Sequence, residues 1–202
     1  MGKLRERILK SHKECDNTEL IEQLYLLKKE NKKLKSRVYE LELMVKKDLM
    51  TGLLNHQSFF VDAELMLEEE KDCYFMLIDL DDFKRINDTY GHKEGDIVLQ
   101  DFSRMVKKVA GEHDLAGRIG GDEFAICFCN SLSEDEVRLR AKKLLQMMSE
   151  KKQKTKKHFP GASIGITKAR DGELIKTVYE RADKMLYRVK RSGKNNYEMT
   201  FE

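Results

Sequence analysis

A heptad repeat runs from residue 20 to residue 45 and predicts a helix with one narrow apolar edge. Its apolar residues and one asparagine follow each other at alternating steps of four and three: Leu20, Leu24, Leu27, Asn31, Leu34, Val38, Leu41 and Val45. Asn31 at an a position costs stability, but it pairs with its own copy in a two-stranded, in-register coil. The pattern therefore favours a parallel homodimeric coiled coil. The alternative is a single amphipathic helix folded back on its own domain.

The charged residues divide the chain at the same place. Residues 1–46 contain 12 Lys and Arg against 8 Asp and Glu, whereas the other 156 residues contain 27 against 28. The net charge of +3 is too balanced to argue for a nucleic-acid partner. The sequence contains no run of about 18 apolar residues that could span a membrane. Its first residues lack the apolar core of a signal peptide. We therefore expect a cytoplasmic protein with reduced cysteines and with no nucleic-acid or membrane partner.

From residue 48 onward, helix-like and strand-like segments alternate. Helices are expected at 56–70, 93–110, 134–152 and 173–191, and strands at 73–80, 161–168 and 195–201, with a strand–turn–strand unit across 114–129. Residues 124–129 are apolar on both faces, which predicts a strand buried on both sides. Cys127 and Cys129 are expected to be core thiols, because no second Cys or His pair stands at zinc spacing. Helices laid on one mixed or antiparallel sheet predict an α+β domain.

Two groups of acids stand where a simple core would not need them. Asp79 ends an apolar strand-like run, so we expect it at the rim of the sheet, where ligands usually bind. Asp122 and Glu123 follow a Gly120-Gly121 turn, whose glycines allow positive φ and a close approach of a ligand to the backbone. Acids that converge on one cation suit Mg²⁺ or Mn²⁺, which take phosphates as further ligands. The residues predict a metal–nucleotide site, although such a turn alone is equally often only a hairpin.

Five motifs follow one another in this second part of the chain. They are residues 48–55 (DLMTGLLN), 79–96 (DLDDFKRINDTYGHKEGD), 120–124 (GGDEF), 163–165 (SIG) and 182–195 (ADKMLYRVKRSGKN). In this order they are similar to the motifs of the GGDEF family, the diguanylate cyclases. The resemblance implies a palm-like sheet of the nucleotidyl-cyclase and polymerase type. The expected domains are then an extension at 1–17, a coiled-coil or signalling helix at 18–47 and a catalytic domain at 48–202.

The resemblance also implies a reaction and its cofactor. Two GTP would condense into cyclic di-GMP with release of two pyrophosphates, across two subunits that face each other. Asp79, Asp122 and the Leu80 carbonyl would hold Mg²⁺ or Mn²⁺, which would assist attack of a ribose 3′-hydroxyl on an α-phosphate. Glu123 would assist removal of the hydroxyl proton.

Further residues are assigned to the substrate by the same resemblance. Asn87 and Asp96 would bind guanine. The Phe83 and Lys84 amides, together with Lys190 and Lys194, would bind the triphosphate. Gly120 and Gly121 would leave room for the ribose and the α-phosphate. The alternatives are a turn role for Asn87 and a helix N-cap role for Asp96. Lys194 stands where the family usually has Arg, which keeps the charge but loses the bidentate fork. His92 is expected to be structural.

One motif of the family is incomplete. The inhibitory product site is an Arg-x-x-Asp that ends six residues before the first signature glycine, and here Gly111 replaces the Arg while Asp114 is retained. The sequence therefore predicts no strong feedback inhibition at this site.

Two function classes remain open at this stage. The first is an active cyclase in which the coil is the dimerisation and signalling element. The second is a non-catalytic receptor for GTP or a cyclic dinucleotide, and the intact acids weigh against it. No sensory domain is visible in the sequence, so the activating signal would come from an upstream domain, from a partner of the coil or from residues 1–17.

Overall fold

The computed structural model describes residues 20–38, 41, 45–70, 72–129, 132–155 and 159–200. The chain divides into two units, residues 1–45 and 46–202. In the first unit, α1 covers residues 20–38. Along the heptads, the apolar side chains are exposed: Leu20, Leu24, Leu27, Leu34, Val38, Leu41 and Val45. The predicted helix is thus confirmed over 20–38, and its pairing stays a prediction. The predicted extension at 1–17 lies outside the described residues.

The second unit is built on one sheet. Its described helices are α2 (His56–Glu69), α3 (Phe83–Tyr90), α4 (His92–Val109), α5 (Glu134–Thr155) and α6 (Ile175–Arg191). Its strands are β1 (Tyr74–Leu80), β2 (Leu115–Arg118), β3 (Glu123–Phe128), β4 (Ala162–Lys168) and β5 (Tyr197–Thr200), in the order β2-β3-β1-β4-β5. Neighbouring strands are antiparallel except for β4 and β5, which are parallel. The predicted α+β class with a mixed sheet and flanking helices is confirmed.

Both faces of the sheet are buried under helices. One core draws on β1, α4 and α5: Met76, Ile78, Phe102, Val106, Leu144 and Met148. The other draws on β1, α2 and α6: Phe75, Leu77, Phe59, Ala63, Val178 and Ala182. Each fully buried Phe, Met, Ile, Leu or Val side chain of these cores contributes roughly 1.5–3 kcal/mol. The predicted two-sided burial of residues 124–129 is confirmed, and Cys127 and Cys129 lie in the core as expected.

The helix α3 was not predicted from the sequence. Only Phe83 and Ile86 are buried in its eight residues, so the apolar periodicity is too short to recognise. Asp82, immediately before it, adopts a left-handed conformation with φ of 55°, which turns the chain sharply at the end of β1. The other predicted elements agree with the structure to within three residues at each end. None of the described helices is both long and apolar enough to cross a bilayer.

The helix α6 approaches β4 most closely at Gly165. A Cβ at this position would overlap the carbonyl oxygen of Ala182 and lie 2.5 Å from the backbone nitrogen of Leu186. Both neighbours are backbone atoms of α6, so a side chain could fit only if the helix moved away. This contact explains the glycine of the 163–165 motif, to which the sequence reading gave no role.

We expect Gly165→Ala to lower the free energy of unfolding by roughly 2–3 kcal/mol, because the methyl group overpacks the interface. Urea unfolding followed by circular dichroism measures the change. Gly121→Ala is the matched control, because a Cβ there meets nothing within 4 Å. Equal stability of the two variants would contradict this account of the packing.

Candidate active site

The candidate acids from two separate motifs meet at one rim of the sheet. Asp79 lies near the end of β1, and the antiparallel pairing with β3 places it directly opposite Glu123. Asp122 precedes Glu123, and its carbonyl oxygen accepts a hydrogen bond of 3.2 Å from the Leu80 N–H. The pairing of two buried strands therefore brings together the carboxyl groups that the sequence predicted for one site.

Asp79 is buried and bonded to a lysine. The Nζ of Lys190 lies 2.7 Å from Oδ2 of Asp79, whose side chain is only 12% exposed. Burial raises the pKa of Asp79, the Lys190 ammonium opposes this, and the charges of Asp122 and Asp81 add to the rise. The pKa of Glu123 is also raised, by burial and by the charges of Asp79 and Asp122. Burial and repulsion between neighbouring carboxylates thus both disfavour the ionised form of the acids at this rim.

The donor atoms at this rim fit a hard divalent cation. Mg²⁺ and Mn²⁺ prefer carboxylate and carbonyl oxygens, and Mg²⁺ is usually held by one or two carboxylates together with substrate phosphates. Within the described ranges, no three His, Cys, Asp or Glu side chains are grouped so that they could hold a metal by themselves. The residues present therefore fit a cation whose remaining ligands come from a bound phosphate chain.

The Gly120-Gly121 turn does not have the positive φ angles that its two glycines predict. Neither residue is among the described glycines with positive φ, so a left-handed conformation is not why glycine is needed here. Instead, a Cβ at Gly120 would overlap the carboxylate of Glu123. At Gly121 a Cβ would meet nothing within 4 Å. Gly120 therefore leaves space for the Glu123 side chain, and Gly121 leaves an open surface beside Asp122.

Arg118 holds the hairpin in place, a role that was not predicted from the sequence. Its Nε and Nη2 donate to the Gly121 carbonyl oxygen at 3.2 and 2.7 Å, and its Nη1 lies 3.4 Å from Oδ2 of Asp48. The N–H and hydroxyl of Thr51 donate to Asp48 at 2.8 and 2.6 Å. Burial raises the pKa of Asp48, but these hydrogen bonds and Arg118 lower it overall. The signal in the sequence was a charged residue at the end of an otherwise uncharged strand.

A depression beside the hairpin contains both residues expected to read the base. Its lining includes Asn87 and Asp96 together with Phe83, Lys84, Arg118, Gly121 and Asp122. Asn87 lies inside α3, and the N-cap of α4 is Gly91, so the alternative roles of Asn87 in a turn and of Asp96 as an N-cap are wrong. His92, expected to be structural, is exposed at the start of α4 and also lines the depression.

Gly95 sets the position of the Asn87 side chain. A Cβ at Gly95 would overlap Oδ1 of Asn87 and lie 3.0 Å from its Cγ. The ring of Phe83 closes the same space, with its Cζ 3.2 Å from that Cβ. Because Asn87 is flexible at its far end, a methyl group would displace its amide rather than unfold the domain.

The two lysines expected at the phosphates each form an ion pair with an aspartate at or just after the end of β1. Lys190 bonds Asp79, and the Nζ of Lys194 lies 2.6 Å from Oδ1 of Asp82. The Lys194 ammonium lowers the pKa of Asp82. The structure therefore brings both ammonium groups to the turn between β1 and α3, where the Phe83 and Lys84 amides also lie.

Buried Asp81 ties this turn to the segment that carries Lys194. Its Oδ1 accepts a hydrogen bond of 2.7 Å from the Ser163 hydroxyl, and its Oδ2 accepts one of 2.9 Å from the Asn195 N–H. Both carboxylate oxygens are thus used inside the protein, so the middle acid of the 79–82 run has a structural role. The motifs at 163–165 and 182–195 meet here.

Comparison with known proteins gives the same assignment as the site. A family profile described as "Diguanylate cyclase, GGDEF domain" matches residues 45–196. The chain therefore belongs to the GGDEF family of diguanylate cyclases.

Curated relatives share this region of the chain. Diguanylate cyclase A of Treponema denticola is 35% identical over 167 residues, which is 78% of this chain and 45% of that protein. The biofilm architecture maintenance protein MbaA of Vibrio cholerae is 36% identical over 165 residues, 75% of this chain and 21% of that protein. The chain therefore spans less than half the length of these two relatives.

Solved structures extend the likeness to the N-terminal helix. The coiled coil and GGDEF domain of DgcB from Caulobacter crescentus, in complex with c-di-GMP, matches with a TM-score of 0.77 at 25% identity, over 90% of this chain and 99% of that chain. Diguanylate cyclase SiaD from Pseudomonas aeruginosa, in complex with its activator SiaC, matches with a TM-score of 0.71 at 25% identity, over 99% and 76% of the two chains.

We expect Gly95→Ala to weaken binding of a guanosine triphosphate about tenfold or more, because the new methyl group displaces the Asn87 amide. The domain should stay folded, because Ala is a better helix former than Gly and only side-chain atoms of Asn87 and Phe83 have to shift. Isothermal titration calorimetry with 3′-deoxy-GTP, which lacks the attacking hydroxyl, measures this affinity. Asn87→Ala should cost a similar factor, and the double variant little more. Wild-type affinity in Gly95→Ala would contradict the predicted role of Asn87.

Proposed function

We propose that this protein is a diguanylate cyclase that condenses two GTP into cyclic di-GMP and releases two pyrophosphates. One observation carries the proposal: the rim with Asp79, Asp122 and Glu123 is continuous with the depression that holds Asn87 and Asp96. An acidic rim suited to a cation therefore lies next to a polar pocket suited to a purine base. The geometry supports chemistry at the phosphate and ribose of a bound guanine nucleotide.

Asp79, Asp122 and the Leu80 carbonyl would hold the divalent cation. Dependence on a divalent metal is general among the diguanylate cyclases of this family, and Mg²⁺ or Mn²⁺ fits the oxygen donors present. When bound, the cation would lower the pKa of the ribose 3′-hydroxyl and neutralise charge on the attacked α-phosphate. Glu123 has a raised pKa and lies directly opposite Asp79, a position suited to accepting the hydroxyl proton.

Asn87 and Asp96 would select guanine. A carboxylate at Asp96 can accept hydrogen bonds from the N1–H and the 2-amino group of guanine, while the Asn87 amide can donate or accept. Adenine has no hydrogen on N1 and no 2-amino group, so it would leave the half-buried carboxylate without its partners. Such a mismatch costs far more than a lost apolar contact.

The triphosphate would lie over the turn between β1 and α3. Lys190 and Lys194 approach this turn from α6 and from the segment after it, and the Phe83 and Lys84 amides begin α3. Helix-start amides and ammonium groups together favour the negative phosphates. The open surface at Gly121 would leave room for the ribose and α-phosphate.

The decisive experiment is incubation of the wild-type protein with GTP and Mg²⁺, with the products identified by mass spectrometry. We expect cyclic di-GMP and pyrophosphate from the wild type and at least a hundredfold less from Asp122→Ala, because loss of electrostatic stabilisation of this kind costs 10²–10³ in rate. Absence of cyclic di-GMP from the wild-type dimer would overturn the proposal. Retained GTP binding in that case would indicate a non-catalytic receptor.

Feedback inhibition at the family's product site is not expected. The Asp114 side chain is 3% exposed and is bonded to Arg140, and it also accepts the N–H of Gly111 at 2.6 Å and of Cys129 at 3.3 Å. Both of its carboxylate oxygens are therefore engaged within the domain. With Gly111 in place of the arginine, neither half of the Arg-x-x-Asp pair is available to a dinucleotide.

We expect the initial rate of the wild type to stay within about twofold of its uninhibited value when cyclic di-GMP is added at saturating concentration. Gly111→Arg alone should not create inhibition, because Asp114 stays bonded to Arg140. Initial-rate measurement of pyrophosphate release checks both statements. Inhibition of the wild type at sub-micromolar product would show that the prediction is wrong.

We further propose that the heptads of α1 hold two catalytic domains together as a homodimer. The reaction joins two substrates held by two subunits, so its rate depends on the local concentration of the second domain. A coil raises that concentration to the millimolar range that is typical of short linkers. The exposed apolar seam on α1 supplies the surface for such pairing.

Leu27→Gln with Leu34→Gln should make activity depend on protein concentration, with a loss of about tenfold or more at nanomolar protein and recovery on concentration. The matched control is Tyr25→Gln with Leu26→Gln, which changes exposed residues of the same helix outside the seam. In sedimentation velocity, the seam variant should be a monomer, whereas the control variant and the wild type should be dimers. Undiminished activity of that variant at nanomolar protein would contradict the role of the coil.

A further inference from the structure

Lys190 and a divalent cation require the same carboxylate. The Lys190 ammonium lies 2.7 Å from Oδ2 of Asp79, which is hydrogen-bond distance to the oxygen of a proposed metal ligand. The ammonium group occupies one oxygen of this carboxylate and places a positive charge beside any cation that binds the other oxygen. Because like charges repel, a cation binds Asp79 more tightly once Lys190 has moved away.

The bond to Asp79 is stronger than an ordinary surface ion pair. The Asp79 side chain is 12% exposed and that of Lys190 is 38% exposed, so solvent screens this pair only in part. The pair that Lys194 makes with Asp82 is different, because the side chains are 41% and 60% exposed. Moving Lys190 into water would leave a buried carboxylate unpaired, whereas moving Lys194 would cost little.

A triphosphate offers Lys190 an alternative partner of the same kind. The turn between β1 and α3, over which we place the phosphates, begins directly after Asp79 and Leu80. An ammonium group that leaves Asp79 for a phosphate oxygen exchanges one charge-assisted bond for another. The oxygen of Asp79 is then available to the cation.

We propose that Lys190 is a positioning residue that couples the two ligands of the site: it keeps bare cations off Asp79 and releases this carboxylate only when a triphosphate binds its ammonium. The inference rests on the proposed function, because it takes a divalent cation and a nucleoside triphosphate as the ligands of the site. Metal and nucleotide then enter together. Since coupling between two ligands is reciprocal, each raises the affinity of the other by the same factor.

Binding of bare Mn²⁺ tests the first half of the proposal and needs no turnover. Electron paramagnetic resonance of free Mn²⁺, without nucleotide, gives the affinity of the wild type and of Lys190→Met, Lys190→Arg and Lys194→Met. We expect Lys190→Met to bind Mn²⁺ about tenfold tighter than the wild type. Lys194→Met should stay within about twofold, because it removes the same charge from Asp82, and Lys190→Arg should stay near the wild type because it keeps a cation beside Asp79.

The reciprocal measurement uses 3′-deoxy-GTP in the presence of a chelator. Asp79→Asn removes the bond that holds Lys190, so we expect it to tighten metal-free binding of the triphosphate about fivefold or more relative to Asp122→Asn. The latter variant removes the same charge from the rim without freeing the ammonium. Thermal unfolding of each variant establishes that it is folded, and Lys190→Gln replaces Lys190→Met if the latter is not.

The outcomes separate this inference from the proposed function. If Lys190→Met binds Mn²⁺ no tighter than the wild type, or if Lys194→Met tightens binding equally, the competition for Asp79 is refuted even in an active cyclase. Equal metal-free nucleotide affinity of Asp79→Asn and Asp122→Asn would refute the release of Lys190. Conversely, suppose that the wild type makes no cyclic di-GMP but the variants show both expected changes in affinity. The proposed reaction would then be wrong, and the coupling through Lys190 would stand.

Discussion

The pairing register between β1 and β3 is the constraint on which the site depends. Side chains alternate between the two faces of a strand, so a slip of one residue would move every core side chain of β1 to the opposite face. Here both faces are packed against helices, with Met76 in one core and Phe75 in the other, and the register is therefore fixed by the whole apolar interior. That register puts Asp79 opposite Glu123. The acids at the rim are thus placed by hydrophobic packing several residues away from them.

A second constraint brings positive charge to the same rim. The helix α6 lies against β4 because Gly165 presents no side chain to it, and this close approach carries Lys190 to within bonding distance of Asp79. Packing between a helix and a strand therefore determines an electrostatic contact in the site. The same helix leads into the segment whose Asn195 N–H binds the buried carboxylate of Asp81, so the end of β1 is fixed from both sides.

The parts of this molecule that could be predicted are those encoded by local patterns. Long apolar periodicities identified the main helices and strands, and the motif residues identified the acids. The helix α3 could not be predicted because its two buried residues, Phe83 and Ile86, are too few to form a periodic pattern. The bonds of Arg118 to the Gly121 carbonyl could not be predicted because they depend on how the hairpin turns. The need for glycine at Gly120 was also misjudged: it comes from a neighbouring side chain and not from backbone conformation.

From the sequence alone one can recognise a heptad segment followed by an α+β domain, and the residues that form the family's motifs. These are properties of spacing and composition along the chain. Which charged side chains meet depends instead on the tertiary structure. Lys190 pairs with Asp79, 111 positions away in the chain, and Arg140 pairs with Asp114, 26 positions away. Contacts at such separations follow from packing of whole elements in three dimensions, and no local pattern specifies them.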